Sequence, residues 1–103
     1  MKVAVLGSGS GGNAAVIKAR DTTMLVDAGL SARQLSRRLE QVGVDPDSLD
    51  GILLTHEHRD HTCGLEVFLR KRSTPVFTTA LTRESLGDRI TGSVDWRIFQ
   101  HGQ

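Results

Sequence analysis

The chain has 103 residues, a length that allows one small domain and leaves little material for a deep, closed active site. Its 13 basic and 12 acidic side chains give a net charge of +1, so there is no global reason to expect attraction to nucleic acids or membranes. The single cysteine, Cys63, excludes an internal disulfide, and no apolar stretch approaches the ~18 residues of a membrane span. We therefore expect a water-soluble protein of the cytoplasm that has no membrane partner.

Three predicted strands open the chain. Lys2–Leu6 is a short, mostly apolar run that stops at the glycine-rich segment Gly7–Gly12, which is typical of a buried strand entering a loop. Two more apolar runs follow, Ala14–Ala19 and Thr23–Val26. The three residues between them have the spacing of a hairpin turn, so we expect these two strands to be adjacent and antiparallel.

The first predicted helix begins at a capping box. Ser31 can accept a hydrogen bond from the backbone of Gln34, and Gln34 can return one. Leu35 and Leu39 fall at helical spacing, and Gly43 supplies a C-terminal stop. The sequence therefore predicts a helix that packs one apolar stripe onto a sheet.

The second half of the chain alternates between apolar runs and turn residues. This pattern predicts a buried strand over Gly51–Thr55, a helix from Leu65 to about Arg70–Arg72, a strand over Pro75–Thr78, a short helix over Thr79–Leu86 and a strand over Val94–Phe99. The predicted class is α/β (α+β).

Four metal-ligating side chains follow the strand predicted over Gly51–Thr55, and they lie within six positions: His56, His58, Asp60 and His61. Alternate residues of an extended chain project to one side, so Asp60 and its neighbour His61 can both face the site only if the chain bends. A bend there would let His56 and His58 share one ion. Asp60 and His61 would then face a second ion. Imidazole and carboxylate are ligands of zinc and also suit iron or manganese, so this cluster predicts metal binding.

The segment Thr55–His61 (THEHRDH) resembles the H-x-H-x-D-H motif of the metallo-β-lactamase superfamily. Within that superfamily the chain is most similar to bacterial metallo-hydrolases of the YycJ/WalJ type. The resemblance extends over nearly the whole chain and includes the segments Leu6–Asn13, Leu25–Ser31, Asp50–Thr55 and Pro75–Thr79.

The resemblance implies a four-layer αββα sandwich that is built from two similar halves, with metals in a groove between the edges of the two sheets. Residues 1–103 would be the N-terminal half, consisting of one mixed sheet with flanking helices. The second half, with the family's remaining ligands, would be absent from this chain. We therefore expect the chain alone to be incomplete and inactive.

The resemblance also implies a role for each site residue. His56 and His58 would bind the first ion, and Asp60 and His61 the second. Asp27 would match the family's structural aspartate, which supports the ligand loop through hydrogen bonds. The ions would be two divalent metals, zinc foremost, with manganese or iron as alternatives. Asp60 would be catalytic, because it would hold and orient a metal-bridged hydroxide that attacks a phosphodiester or a carbonyl carbon. Family members of this type are thought to act as DNA exonucleases.

The glycine-rich segment offers a rival interpretation. Gly7, Gly9 and Gly12 fit a dinucleotide-binding fingerprint after a strand, and Asp27 lies near the position of a ribose-binding carboxylate. A Rossmann crossover needs roughly 10–12 residues including its helix, and the segment after Gly12 is better explained as a strand and a turn. This alternative also leaves the histidines unexplained.

Two further hypotheses concern the chain by itself. It could be a non-catalytic metal-binding fragment, because four ligands that are divided between two ions leave each ion undercoordinated. It could also form a homodimer that imitates the two-half sandwich, since an apolar sheet face would otherwise be exposed. His101 is the only histidine outside the cluster, and we interpret it as a solvated tail residue.

Overall fold

A computed structural model describes residues 1–100, in which a mixed sheet of six strands has the order β1-β2-β3-β4-β5-β6. The strands are β1 (Lys2–Gly7), β2 (Ala14–Ala19), β3 (Thr22–Val26), β4 (Gly51–Leu53), β5 (Val76–Thr79) and β6 (Trp96–Phe99). The first three strands pair antiparallel, and β3 to β6 pair parallel. The prediction of one mixed sheet is confirmed.

The helices occupy the connections between strands. They are α1 (Ala32–Gln41), α2 (Arg59–Thr62), α3 (Leu65–Leu69) and α4 (Ala80–Leu86), with 3-10 turns at Pro46–Ser48 and Gly87–Arg89. Ser31 caps α1 as predicted, because its hydroxyl accepts from the backbone N–H of Gln34 at 3.2 Å. Within residues 1–100, every helix is too short or too polar to cross a membrane.

Two predicted boundaries differ from the structure for a physical reason. β4 ends at Leu53 rather than at Thr55, because the backbone N–H of Thr55 donates to the carboxylate of Asp27 at 2.8 Å and so leaves the ladder. The second predicted helix is preceded by the separate one-turn α2. Gly64 lies between α2 and α3 against the Leu30 carbonyl, where a Cβ would be 1.8 Å from the oxygen.

One face of the sheet carries the hydrophobic core. Val16, Leu25, Ile52, Val76 and Trp96 are in register across five strands, and the first four of these are buried. The helices cover this face with buried side chains that belong to the same cluster, namely Leu35, Leu39, Leu65, Phe68, Leu69 and Leu86. Burial of alternate strand residues on one side is what the apolar patterns predicted.

The opposite face of the sheet is apolar but accessible to solvent. The strand residues that point this way are Val3, Val5, Ala15, Ile17, Met24, Val26, Leu53 and Phe77, and each is exposed or half-buried. The side chain of Val5 is 68% exposed and that of Val3 is 58% exposed, whereas their neighbour Leu6 is buried. We call these eight residues the open sheet face. An exposed apolar surface of this kind was expected for the chain by itself.

The direction of β2 bears on the dinucleotide-binding alternative. The strand after the glycine-rich segment pairs antiparallel with β1, and no helix lies between the two strands. A Rossmann unit requires a helical crossover and a parallel second strand at this point. The glycine-rich segment of this chain therefore does not form a dinucleotide-binding loop of that type, and this alternative is not favoured.

Candidate metal centre

The site lies where two neighbouring parallel strands end. Asp27 comes directly after β3, and Thr55–His61 follows β4. Parallel strands place their carboxyl ends at the same edge of the sheet, so these two segments meet. The backbone N–H of Asp27 donates to the carbonyl of Leu53 at 2.8 Å, and Asp27 adopts a left-handed backbone conformation with a φ of 64°. Aspartate is among the few residues that tolerate this conformation, which turns the chain sharply out of the sheet.

The buried Asp27 carboxylate ties the two segments together. Its Oδ1 accepts from the backbone N–H of Thr55 at 2.8 Å, and its Oδ2 accepts from the Thr55 hydroxyl at 2.6 Å. The same Oδ2 lies 2.7 Å from Nδ1 of His61. Asp27 is only 5% exposed, so these partners take the place of water around a buried carboxylate.

The hydrogen bonds around Asp27 determine which ring nitrogens remain available. The Thr55 hydroxyl has one proton, which it donates to Asp27, so its 2.9 Å contact with Nδ1 of His56 requires the imidazole to donate. A carboxylate only accepts, so Nδ1 of His61 must also donate to Asp27. An imidazole that donates from Nδ1 has the lone pair of Nε2 available in its uncharged form, which is the form of histidine that binds metals.

Three donor side chains converge at this edge of the sheet. Asp27, His56 and His61 each offer a ligand atom, and these atoms all lie within 4.8 Å of one another. The rings of His56 and His61 have centroids 4.7 Å apart. Asp60 lies beside them, with its Oδ2 3.7 Å from Nε2 of His61. The bend that the sequence requires is formed by α2, which lets Asp60 and His61 face the same side.

His58 occupies the outer edge of the cluster. Its ring stacks on that of His56 with centroids 5.9 Å apart, and its side chain is 68% exposed. Its Nε2 lies 3.8 Å from a carboxylate oxygen of Glu57. The structure therefore places His58 next to the three converging donors but outside the group that lies within 4.8 Å.

Close backbone packing holds the Thr55–His61 segment against the rest of the chain. The carbonyl of Asp60 accepts from the backbone N–H of Asn13 at 2.6 Å, and the carbonyl of His61 accepts from that of Ala28 at 2.7 Å. Gly29 packs directly beneath, since a Cβ at that position would lie 1.8 Å from the Asp60 carbonyl oxygen. Gly12, with a φ of 133°, packs in turn on the Gly29 carbonyl. The absence of a side chain at Gly12 and Gly29 therefore allows these backbone segments to pack in direct contact.

Two residues of the site were not singled out from the sequence. Thr55 supports His56 and Asp27, and the side chain of Asn13 contacts Asp60. The only local indication of a role for Thr55 was its position directly before the histidine cluster. Asn13 is 47 positions away from Asp60, and nothing local indicates the contact. His101 lies outside the described residues.

A family model of the metallo-beta-lactamase superfamily matches residues 7–101. The chain belongs to this superfamily. The predicted membership of this superfamily is thus confirmed, as is the α/β class of a mixed sheet with flanking helices.

Curated relatives share the sequence along nearly the whole chain. The exodeoxyribonuclease WalJ of Streptococcus pneumoniae is 36% identical over 106 residues, which cover 99% of this chain and 39% of that protein. The exodeoxyribonuclease YycJ of Bacillus anthracis is 37% identical over 90 residues, which cover 87% of this chain and 34% of that protein. The chain therefore spans less than half the length of these relatives.

Solved structures support the same fold. A subclass B3 metallo-beta-lactamase, MEM-A1, from a soil metagenome library superimposes with a TM-score of 0.79 at 23% sequence identity. The match covers 98% of this chain and 44% of that protein. At this level of identity the likeness describes the fold and carries no information on substrate.

The packing of Gly29 leads to a prediction about stability. Gly29→Ala should lower the free energy of unfolding by about 1–3 kcal/mol or more, because the added methyl group meets the Asp60 carbonyl and cannot be accommodated without a backbone shift. Urea unfolding followed by circular dichroism measures the change. The matched control is Gly11→Ala, whose Cβ would meet no atom within 4 Å, and which should stay within about 1 kcal/mol of wild type. Equal effects of the two substitutions would contradict the packing described.

Proposed function

We propose that this chain contributes the metal-binding half-site of a metal-dependent hydrolase, a phosphodiesterase that acts as a DNA exonuclease. The observation that carries this proposal is the convergence of Asp27, His56 and His61 within 4.8 Å, with Asp60 beside them, at one edge of a parallel sheet. The names of the two relatives, both exodeoxyribonucleases at 36% and 37% identity, support the substrate class.

The donor set fits divalent metal ions. It combines imidazole nitrogens and carboxylate oxygens, and the hydrogen bonds from Nδ1 leave Nε2 of His56 and His61 for an ion. We assign His56 and His58 to one ion. Asp60 and His61 are assigned to a second. Zinc is the metal that this set suits best, and manganese or iron would also be accepted.

Asp27 could enter the site in two ways. Its Oδ2 is close enough to the imidazoles to be a direct ligand. The same atom, however, already accepts from the Thr55 hydroxyl and lies at hydrogen-bonding distance from His61, and Oδ1 accepts from a backbone N–H. We favour the supporting role, because a carboxylate with these partners orients the rings and increases their basicity as ligands.

The proposed chemistry assigns a distinct task to Asp60. Bound divalent ions would lower the pKa of a coordinated water and neutralise charge that develops on the substrate. The Asp60 carboxylate is one third exposed, so it can accept a hydrogen bond from the attacking water and orient it toward phosphorus. His56 and His58 are exposed on the same side, where a phosphodiester can approach.

Metal content tests the half-site. The 103-residue chain, purified without chelator and loaded with Zn²⁺, should retain metal in elemental analysis, and His56→Ala should lose it because one converging imidazole is removed. His101→Ala is the control histidine and should retain the wild-type content. Absence of metal from the wild-type chain, with or without the polypeptide encoded downstream, would refute the assignment.

Hydrolysis tests the substrate class. The complete translation product of the gene should degrade linear DNA from its ends when Zn²⁺ or Mn²⁺ is present, and Asp60→Asn should reduce the rate about 100-fold or more. The matched control is Asp21→Asn in the exposed turn between β2 and β3, which should leave the rate unchanged. Metal binding without hydrolysis of DNA or of a simple phosphodiester would favour the alternative, a non-catalytic metal-binding module.

We also propose that residues 1–103 are the N-terminal half of a metallo-β-lactamase domain and that the open sheet face packs against a second sheet. For the chain by itself, a second copy could supply that sheet. A twofold interface contains the same residues from both copies, so a single substitution changes the interface at two symmetric positions. The cytoplasmic location stays a prediction from the sequence.

The oligomeric state checks this interpretation of the open sheet face. In sedimentation velocity the 103-residue chain should form a dimer, and Val5→Lys should shift it to monomer because an unpaired charge would be buried on both partners. Leu81→Lys on the helical side is the control, since Leu81 is 74% exposed and lies away from the sheet face. A wild-type chain that is monomeric at every concentration would contradict self-association through this face.

A further inference from the structure

The side chain of Asn13 connects the glycine-rich segment to the metal-ligand segment. It lies between Gly12 and the first residue of β2, and it is half-buried. Its amide nitrogen lies 3.0 Å from Oδ2 of Asp60, 3.2 Å from the Asp60 carbonyl oxygen and 2.9 Å from the Gly9 carbonyl oxygen. One amide group thus contacts both the carboxylate and the backbone of the residue that we assign to catalysis.

The orientation of this amide is determined by its surroundings. The Asn13 oxygen accepts from the backbone N–H of Gly9 at 3.1 Å. A flipped amide would turn that oxygen toward the carbonyl and the carboxylate of Asp60, which are both acceptors, and would turn its N–H groups toward a donor. The donor side of the amide must therefore face Asp60.

The glycine-rich segment provides the frame for this contact. Gly9 has a φ of 97° and presents both its N–H and its carbonyl to Asn13, while Gly12 donates from its backbone N–H to the Gly9 carbonyl at 3.2 Å. The backbone of Asn13 is held on both sides, because its N–H donates to the Asp60 carbonyl and its carbonyl accepts from Gly29. These hydrogen bonds define the position from which the Asn13 amide reaches Asp60.

Asp60 needs such a partner because of its location. It lies in the single turn of α2 at the surface, with its side chain one third exposed, and a free carboxylate there would populate several rotamers. The bond to Oδ2 selects the rotamer in which this oxygen lies 3.7 Å from Nε2 of His61. A charged acceptor also makes the bond stronger than one between neutral groups.

We propose that Asn13 is a positioning residue for the Asp60 carboxylate and that the glycine-rich segment serves this purpose. This inference rests on the proposed function, since it concerns the residue assigned to the second metal ion. Asn13 would not bind the ion itself. It would reduce the reorganisation that Asp60 undergoes when an ion binds, which is how hydrogen-bonded supports of ligands raise metal affinity.

A double-mutant cycle tests the coupling between the two side chains. Co²⁺ is titrated into the 103-residue chain and into Asn13→Ala, Asp60→Ala and the double variant, with visible absorption and calorimetry as readouts. Asn13→Ala should weaken binding about 10–100-fold and alter the Co²⁺ absorption bands. In the Asp60→Ala background the same substitution should have little further effect, because the side chain that accepts the hydrogen bond is already absent. The titration extends far beyond wild-type saturation so that weakened variants are also measured.

Controls separate positioning from general damage to the fold. Ser10→Ala, in the same exposed loop, should bind Co²⁺ like wild type. Urea unfolding of each metal-free variant shows whether it remains folded. If Asn13→Ala unfolds, the cycle is repeated with Asn13→Asp, which keeps the size and the acceptor for Gly9 but replaces the amide donor that faces Asp60.

The outcomes distinguish this inference from the proposed function. A wild-type protein that binds no Co²⁺, both as residues 1–103 and with the polypeptide encoded downstream, would refute the metal site, and the inference with it. Wild-type binding with equal effects of Asn13→Ala in both backgrounds would overturn the inference and leave the metal site intact. Unequal effects, together with altered absorption bands, would support Asn13 as the residue that positions Asp60.

Discussion

The Asp27 carboxylate is the interaction on which the candidate site depends. It lies at the end of β3, is nearly fully buried, and accepts hydrogen bonds from the backbone and the hydroxyl of Thr55, at the end of β4. Burying a carboxylate without hydrogen-bond donors would cost free energy. The groups that donate to Asp27 are therefore kept in place by it. His61 contacts this carboxylate directly, and His56 is connected to it through Thr55. The buried carboxylate thus determines the position of the Thr55–His61 segment. It also determines which nitrogen each ring presents.

Backbone contact supplies the second constraint. The segments that contain Gly12, Gly29 and Gly64 approach one another more closely than any side chain would allow. Hydrogen bonds from Asn13 and Ala28 to the carbonyls of Asp60 and His61 use this proximity. The ligand-bearing turn α2 is too short to be stable alone, so its shape comes from these contacts.

The two faces of the sheet have different roles. One face buries a continuous core beneath the helices, and this core supports the edge of the sheet where the site lies. The open sheet face is equally apolar along its strands but has no covering element in the described part of the chain. Its residues pair with one another across β1 to β5, as the core residues do on the other face. Our proposal that this face packs against a second sheet agrees with the length of the relatives, which are more than twice as long as this chain.

The amino-acid sequence by itself determined the elements and the chemistry. Periodicity and turn residues placed all six strands and the capped helix after Ser31, because these signals are local. The THEHRDH segment showed, for the same reason, imidazole and carboxylate side chains of the kind that bind metals. The predicted end of β4 at Thr55 was less accurate, since it depends on the Asp27 carboxylate 28 positions earlier. The separation of α2 from α3 was not predicted, since it depends on the contact of Gly64 with Leu30.

Only the tertiary structure decided how these parts work together. The sequence left a dinucleotide-binding role open for the glycine-rich segment, and the antiparallel direction of β2 argues against that role. The contact between Asn13 and Asp60, and the hydrogen bonds that link His56 and Thr55 to Asp27, join residues that are distant in the chain. Such contacts depend on which strands become neighbours, and strand order is set by the burial of a shared core rather than by any local pattern.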